Sequence, residues 1–302
     1  DLVIDLEVHS KYSSIVTALS FAKNRAGFGG ITSRFRTGLY THLVYWNPTK
    51  FVGKAYEQLL SALNVEPITK NYPLSPTNDG IKEVNKFLSD NKLNPENDLL
   101  VCINVNASSL RPERKWPPHY FAKLIEELVS AKQVKIILVG APNERNYVEY
   151  VCSFLSPSLA KEKVFNSAGI LSLAGFVALL KVVKLMISND SGPMHIAQIM
   201  NVPLVSLWGP TDPAVYCPEG ENHLAIYKPI YCSPCTHFSD IPPCRGDNQC
   251  LKLITWEEVA EASFQLLGLP YIVRKKSERE DLKQINKSLL SSQWKRKRLL
   301  FK

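Results

Sequence analysis

The chain has 302 residues, of which 45% are hydrophobic and 21% charged. This composition excludes a wholly disordered protein and provides for one large or two medium domains. No apolar run is long enough to cross a bilayer. The net charge of +8 lies in residues 274–302, where 11 Lys and Arg stand against 3 Asp and Glu. The remaining body is formally neutral, so we expect no nucleic-acid binding. The basic tail is either a solvated end or a peripheral contact with an anionic membrane.

The first 98 residues show an alternation of strand-like and helix-like segments, followed by a connection. The predicted strands are "DLVIDL" (1–6), "RAGFGG" (25–30) and "THLVYW" (41–46), and the predicted helices cover 12–23 and 52–63. Residues 66–98 are rich in Pro, Asn and Asp and contain one short helix candidate around 81–88. We interpret residues 1–92 as a partial N-terminal domain with its linker.

A clearer alternation fills the rest of the body. Buried strands are predicted at 99–105, 134–141, 184–188 and 203–209, with helices at 117–132, 144–155, 172–182 and 192–200. This order is typical of a parallel sheet covered by helices on both faces, which binds ligands beyond the carboxyl ends of its strands. It predicts an α/β domain over 93–270, followed by the basic tail over 271–302.

The turn "SNDSGP" joins a buried strand to a helix. Gly192 allows a ligand to approach the backbone, Pro193 suits the first helical turn, and the helix N-terminus attracts phosphate. Asp190 would repel a phosphate, so we expect it to accept hydrogen bonds from sugar hydroxyls. His195 lies one turn into the helix and can reach the same pocket. Alternatively, Asp190 or Ser191 merely caps the helix.

Several ordered motifs carry a resemblance to a known family. "NDSGPMHIAQIMNVPLVSLWGPTDP" resembles the D-[ST]-G-x-x-H and G-P-T-D-P signature of glycosyltransferase family 9, the lipopolysaccharide heptosyltransferases. "NASSLRPERKWPPHYFAKLIEEL" is similar to the family's K-x-W-P segment, and "VGAPNERNYVEYV" to its G-x-x-x-E turn. The cysteine-rich stretch and the following "IT.EEV" pattern also resemble the family. The resemblance covers about residues 1–267.

The resemblance implies a GT-B fold: two Rossmann-like domains with parallel sheets that face each other across a cleft. It implies that the C-terminal domain binds a nucleoside-diphosphate sugar, usually ADP-heptose. The N-terminal domain would present a lipid-linked or lipopolysaccharide-core acceptor. Transfer would invert the anomeric centre without a metal or cofactor. The implied location is cytoplasmic, with the basic tail as a peripheral contact on the inner face of the inner membrane.

The resemblance also assigns roles to residues before the turn. Arg114 takes the place of the K-x-W-P lysine that steadies the leaving diphosphate, and Lys115 is the fallback. Ser108 and Ser109 match hydroxyl positions that contact phosphate. Glu144 matches the acid that reads the ribose. Without the resemblance, the two cations would be read as solvated loop residues and Glu144 as an acid at a helix N-terminus.

In the turn itself, the resemblance makes Asp190 a catalytic residue together with Arg114. It places Ser191, Gly192, Met194 and His195 among the donor-binding residues.

The family's catalytic base is the Asp of a G-D motif after a first strand, and no such segment occurs in this sequence. "DLVIDL" resembles a later strand, so we expect the N-terminal domain to be incomplete. Asp5 and Glu7 are acids near the end of this strand, although nothing in their pattern marks a base. We expect the chain to bind a nucleoside diphosphate or its sugar but to transfer little. The alternatives are an inactive or fragmentary nucleotide-sugar or glycan-binding homologue, and a transferase for a different nucleotide sugar.

Four of the seven cysteines lie in "CSPCTHFSDIPPCRGDNQC". Cys232 and Cys235 form a C-x-x-C pair, and Cys244 and Cys250 follow with five residues between them. The spacing fits either a structural zinc site or a free, redox-sensitive loop. A reducing cytoplasm disfavours a lasting disulfide. We interpret the segment as a structural loop without a catalytic metal.

Overall fold

The architecture comes from a computed structural model, which describes residues 1–8, 10–66, 74–109, 111–131, 133–217, 220–236, 239 and 241–271. For residues 31–33 it describes the backbone alone. The basic tail predicted over 271–302 lies outside these ranges except for Tyr271. Within these ranges, no helix is both long and apolar enough to span a bilayer.

The first part of the chain forms a small parallel sheet. Its elements are, in chain order, β1 (Leu2–Asp5), α1 (Lys11–Leu19), β2 (Asn24–Gly29), a 3-10 helix (Ile31–Gly38), β3 (His42–Tyr45) and α2 (Val52–Ala62). The strands pair in the order β1-β2-β3, and both pairings are parallel. Leu59 of α2 joins Ala26 and Phe28 of β2 in a small apolar core. The three strands predicted here are therefore confirmed.

A buried arginine connects the segments of this small unit. Arg36 of the 3-10 helix donates hydrogen bonds to the carbonyl oxygens of Glu7, of Phe28 at 3.2 Å and of Ser10 at 2.6 Å. Its Nη2 also lies 3.8 Å from the Asp5 carboxylate. Of these carbonyl partners, Glu7 follows β1, Phe28 lies in β2 and Ser10 precedes α1. A buried cation is tolerated only where it is paired and hydrogen-bonded, so Arg36 fixes how the segments meet.

The second part of the chain forms a larger parallel sheet. Its strands are β4 (Leu99–Asn104), β5 (Val134–Val139), β6 (Val164–Asn166), β7 (Leu185–Asn189), β8 (Leu204–Trp208) and β9 (His223–Tyr227). They pair in the order β6-β5-β4-β7-β8-β9, and every pairing is parallel. The helices are α3 (Asn78–Asp90), α4 (Pro118–Leu128), α5 (Arg145–Cys152), α6 (Pro157–Lys163), α7 (Leu173–Leu179), α8 (Gly192–Ile199), α9 (Pro213–Tyr216), α10 (Gln249–Lys252) and α11 (Trp256–Leu267).

Apolar side chains cover both faces of this sheet, as the continuous apolar strands predict. Along β4, Val101 and Ile103 enter one core, which is closed by α4, α5 and α11. Leu100 and Cys102 enter the opposite core, which is closed by α3, α7 and α8. The alternation of successive side chains thus buries the strand on both sides. The prediction of a parallel sheet between two layers of helices is confirmed.

The helix α3 belongs to this second sheet. Its buried residues Val84, Phe87 and Leu88 lie in the same core as β4 and α7. The sequence boundary at residue 92 places this helix in the linker of the first domain, whereas its buried residues pack with the second sheet. We propose that the boundary lies before Asn78, because the apolar face of α3 is buried against the second unit.

Candidate functional site

The site forms where the order of the larger sheet changes direction. β4 is followed towards one edge by β5 and β6, whereas its other neighbour β7 is followed by β8 and β9. Connections from two adjacent strands therefore leave in opposite directions and open a crevice at their carboxyl ends, where such sheets bind ligands. The predicted turn "SNDSGP" lies at this point, because β7 ends at Asn189 and α8 begins at Gly192.

Asn189 holds the loops around the crevice together. Its Nδ2 donates to the carbonyl oxygens of Val105 at 3.0 Å and Asn106 at 3.1 Å. Its Oδ1 accepts from the backbone N–H of Trp116 at 3.1 Å. The Trp116 indole is buried and donates to the Ile254 carbonyl at 3.0 Å. Sequence reasoning did not single out Asn189, although an amide at the end of an apolar strand is a signal that it could have used.

The start of α8 carries no side-chain cap. Ser191 is the N-cap residue, but its hydroxyl makes no capping hydrogen bond. It accepts instead from Asn104 Nδ2 at 2.8 Å and donates to the Asn189 carbonyl at 3.1 Å. The geometry therefore disfavours the alternative that Ser191 merely caps the helix. The N-terminal N–H groups of α8 and the positive end of its dipole face the crevice.

Arg114 and Asp190 meet in the crevice although 76 residues separate them in the chain. Arg114 Nη1 lies 3.4 Å from Asp190 Oδ2, and the two side chains are 27% and 6% exposed. The Nε of Arg114 is buried and has no hydrogen-bond partner among the described residues. A partly exposed guanidinium with donor capacity to spare, beside an uncapped helix start, is suited to an anionic ligand.

His195 is half-buried in the first turns of α8. Burial lowers the pKa of its imidazole, Asp190 opposes this shift, and Arg114 adds to it. The ring is therefore neutral at neutral pH and can both donate and accept a hydrogen bond. Asp190 and Arg114 thus both influence the pKa of His195.

Lys115 points away from this pair. Its Nζ lies 3.8 Å from the centroid of the Tyr147 ring on α5. Burial lowers the pKa of Lys115, and the charge of Glu144 opposes the shift. Glu144 Oε2 accepts a hydrogen bond from the backbone N–H of Ala141 at 2.8 Å. Of the two predicted cations, Arg114 is thus the one beside Asp190, whereas Lys115 lies on the side of the predicted ribose-reading acid.

A cavity of about 570 Å³ continues the crevice towards β5 and β6. Its lining includes Gly140, Glu144, Ile170, Leu173, Phe176 and Pro193. Ile170 and Leu173 are 53% and 69% exposed and give this wall the apolar lining that is typical of ligand pockets. A flat apolar group would cover them, while Glu144 supplies a carboxylate to the lining and Pro193 marks where the cavity reaches α8.

The remaining predicted donor residues divide into two groups. Ser108 and Ser109 are exposed in the loop after β4, before the turn that carries Arg114. Met194 is fully buried in the core under α8, and its backbone N–H bonds to the Ser191 carbonyl at 3.1 Å. Met194 therefore contributes packing, and we remove its side chain from the set proposed to contact the donor.

The cysteine-rich loop lies beside the end of β8. Cys235 and Cys250 are buried, and Cys232 and Cys244 are partly exposed. Burial raises the pKa of the Cys250 thiol to about 12. None of these four cysteines forms a disulfide in the structure. Within the ranges that the structure describes, no group of three or more His, Cys, Asp or Glu is arranged to hold a metal ion.

On the smaller sheet, Asp5 is already occupied by structural contacts. Its Oδ2 accepts from Tyr40 and from Ser13 Oγ at 2.9 Å, and its Oδ1 accepts from the Glu7 N–H at 2.9 Å. With Arg36 beside it, this buried carboxylate is engaged on both oxygens. A general base needs a lone pair directed at the acceptor hydroxyl. Asp5 is therefore poorly placed for the role that sequence reasoning held open for it.

Glu7 and a second pocket lie at the carboxyl edge of the smaller sheet. The charge of the exposed Glu7 adds to burial in raising the pKa of Tyr56. Tyr56 in turn is close enough to affect the pKa of Tyr216 on α9, which burial raises first and Asp190 raises further. The pocket has a volume of about 460 Å³, and its lining includes Arg34, Tyr45 and Trp46.

Comparisons with known proteins identify the family of this chain. The model of the family described as "Glycosyltransferase family 9 (heptosyltransferase)" matches residues 1–244. Lipooligosaccharide heptosyltransferase 2 of Haemophilus influenzae is 34% identical over 119 residues, which are 39% of this chain and 34% of that protein. Lipopolysaccharide heptosyltransferase 2 of Salmonella typhimurium is 27% identical over 166 residues, which are 54% and 46% of the two chains. The match thus spans about a third to a half of these relatives.

A solved structure of another protein has a fold similar to that of this chain. The Escherichia coli ADP-heptose lps heptosyltransferase II superposes with a TM-score of 0.64 at 21% identity, over 88% of this chain and 75% of that one. This likeness confirms the predicted α/β fold with parallel sheets, of the GT-B type. Because the family model matches most of the sequence, the chain belongs to glycosyltransferase family 9.

Proposed function

We propose that this chain binds ADP-heptose on its larger sheet and transfers the heptose, with inversion, to a lipopolysaccharide-core acceptor. The observation that carries the proposal is the Arg114–Asp190 pair beside the uncapped start of α8. It supplies a cation and backbone N–H groups for a diphosphate, next to an acid for a sugar. The names of the relatives supply the heptose and the ADP.

The leaving diphosphate gains negative charge as the glycosidic bond breaks. Arg114 and the N–H groups at the start of α8 would stabilise this charge in a partly buried site, where such contacts are stronger than in water. Ser191 supports the arrangement by binding Asn104 and leaving the helix start open. Ser108 and Ser109 are the proposed hydroxyl contacts on the other side of the diphosphate.

The two ends of the donor fit different parts of the site. The base would cover Ile170 and Leu173 in the large cavity, with Glu144 accepting hydrogen bonds from the ribose. The heptose would lie near Asp190 and the neutral His195. This assignment separates the acid from the phosphates, as its negative charge requires.

The acceptor would bind at the carboxyl edge of the smaller sheet. The pocket lined by Arg34, Tyr45 and Trp46 offers a cation and aromatic surfaces for a glycan. Glu7 is the acid that we propose to test as the base. We propose a cytoplasmic reaction, with basic residues 274–302 contacting the inner face of the inner membrane.

The engagement of Asp5 favours a second candidate function, in which the chain binds a nucleotide sugar without transferring it. Asp5 accepts hydrogen bonds on both oxygens and lies beside Arg36. If Glu7 does not serve as the base, no other proton acceptor for the acceptor hydroxyl has been identified among the described residues of this edge. Donor binding would then persist without turnover.

Binding and transfer assays test the two functions together. ADP-heptose should raise the free energy of unfolding by about 2.7 kcal/mol at 100-fold over its Kd. UDP-linked and GDP-linked sugars at equal concentration should contribute less. The chain and ADP-heptose are then incubated with a lipopolysaccharide core that lacks the heptose to be transferred, and the mass of the core is measured. Transfer supports the proposed reaction, whereas binding without transfer supports the second function. No stabilisation by any nucleotide sugar would contradict both.

Replacing Asp190 with asparagine should separate sugar recognition from nucleotide binding. The neutral amide is a weaker acceptor for sugar hydroxyls, so affinity for ADP-heptose should fall about 10-fold. Affinity for ADP should stay level or rise, because the carboxylate that pairs with Arg114 is removed and the guanidinium is left free for the diphosphate. Calorimetric titration measures both ligands. Asp98→Asn is the matched control, since Asp98 pairs with Lys135 at 3.5 Å near the start of β4. Equal losses for both ligands would contradict a role in reading the sugar.

A further inference from the structure

The helices α3 and α7 approach each other closely beside the large cavity. A methyl group on Gly80 of α3 would collide with the carbonyl oxygen of Ala174, and one on Gly175 of α7 would collide with Glu83 Oε2. Glycine at both positions therefore allows the contact. The helices also share the apolar core formed by Val84, Phe87 and their neighbours. This close approach places the side chain of Glu83 at the first turn of α7.

Glu83 makes a two-point contact with Ser172, the N-cap residue of α7. Its Oε2 accepts from the backbone N–H of Ser172 at 2.9 Å, and its Oε1 accepts from the Ser172 hydroxyl at 2.9 Å. The Ser172 oxygen in turn accepts from the Gly175 N–H at 3.1 Å. Glu83 thus accepts the hydrogen bond that the hydroxyl donates, and the hydroxyl oxygen keeps a lone pair for the N–H group of the helix. Its negative charge also lies at the favourable end of the α7 dipole.

The residues held in this way form one wall of the cavity. Ile170, Leu171, Ser172, Leu173 and Phe176 all line it. The contacts of Ser172 with Glu83 and Gly175 fix the path of the backbone from this loop into α7. Since Ile170 and Leu173 are the exposed apolar side chains of the wall, a shift of Ser172 would move the surface on which a base rests.

We propose that Glu83 is a positioning residue for the base-binding wall, acting through Ser172. The inference rests on the proposed function in assigning this cavity to the nucleotide base. Glu83 is not among the residues that line the cavity. Its contribution is to hold the 170–176 segment in the binding conformation before the ligand arrives, which reduces the ordering cost of binding.

The test compares ligands that use the wall with one that does not. Glu83→Ala should lower the affinities for ADP and for adenosine by a similar factor of about 10, because two hydrogen bonds to a charged carboxylate are lost. Inorganic pyrophosphate, which would occupy only the Arg114 side, should bind as it does to the wild type. Glu83→Gln keeps the side-chain length and one acceptor, so it should recover most of the affinity. Asp90→Ala is the matched control, because Asp90 lies on the same helix in an exposed pair with Lys86.

Hydrogen exchange supplies a readout that needs no ligand. Amide exchange over residues 170–176 should accelerate in Glu83→Ala and stay near the wild-type rate in Glu83→Gln and Asp90→Ala. Unchanged exchange in Glu83→Ala, or equal losses for adenosine and pyrophosphate, would overturn the positioning role. Failure of the wild-type chain to bind both ADP and adenosine would instead contradict the base assignment in the proposed function, and the exchange rates would still report on the wall.

Discussion

Replacing Asn189 with alanine is expected to lower the free energy of unfolding by about 3–4 kcal/mol. The amide makes three hydrogen bonds to backbone groups in a fully buried position. Alanine leaves the Trp116 N–H and the carbonyl oxygens of Val105 and Asn106 without this partner. Each buried polar group left unsatisfied costs roughly 1–3 kcal/mol, less whatever the loops recover by shifting.

Urea denaturation of Asn189→Ala measures this loss, with Asn97→Ala as the control. Asn97 is exposed in the turn before β4. Its replacement should change stability by less than about 0.5 kcal/mol. Asn189→Ala should also bind ADP more weakly, since the loop that carries Arg114 is held through Trp116. A change of under about 1 kcal/mol in stability would show that Asn189 does not hold the crevice together.

Replacing Arg114 with alanine is expected to weaken ADP binding by about 1.5–3 kcal/mol, roughly 10-fold to 150-fold. Adenosine binding should change little, because the nucleoside lacks the diphosphate that Arg114 would contact. The physical reason is the loss of a charge-assisted contact in a partly buried crevice. Calorimetric titration with ADP and adenosine gives the two affinities directly.

Two further variants sharpen the Arg114 test. Arg114→Lys keeps the charge but loses the planar donor pair, so its ADP affinity should fall between those of the wild type and Arg114→Ala. Lys115→Ala is the comparison for the neighbouring cation, which lies over Tyr147. This replacement should change the affinities for ADP and for adenosine by similar factors. A larger selective loss of ADP in Lys115→Ala than in Arg114→Ala would move the phosphate role to Lys115.

Local sequence patterns predicted most of the larger sheet, because its central strands are apolar over their whole length. They missed β6, which has three residues, and β9, which lies at the sheet edge and is only partly buried. The four helices predicted between 117 and 200 extend one to four residues past their observed ends, because apolar spacing continues beyond the last helical turn. The sequence predicted a helix around 81–88, where α3 lies. Local patterns do not reveal which sheet this helix covers, because that depends on tertiary packing.

The site was predictable to the extent that motifs mark it. Asp190 and Arg114 were both singled out, yet their contact across the chain is a property of strand order. Met194 belongs to the same motif, but Met194 and Ala197 are both buried under α8. They are three positions apart and face the core together. Asn189 and Glu83 act through hydrogen bonds to distant backbone, which apolar periodicity does not reveal.

Arg36 has a consequence for the folding specificity of the smaller sheet. The apolar core there is small, so apolar contacts alone would discriminate weakly between strand registers. A shift of β2 by one residue would exchange the faces of its side chains and move the Phe28 carbonyl away from the guanidinium. The buried cation would then lose an acceptor that holds it in place, and removing a partner from a buried charge is strongly destabilising. Arg36 thereby penalises misregistered pairings, which selects one alignment of the strands at little gain in overall stability.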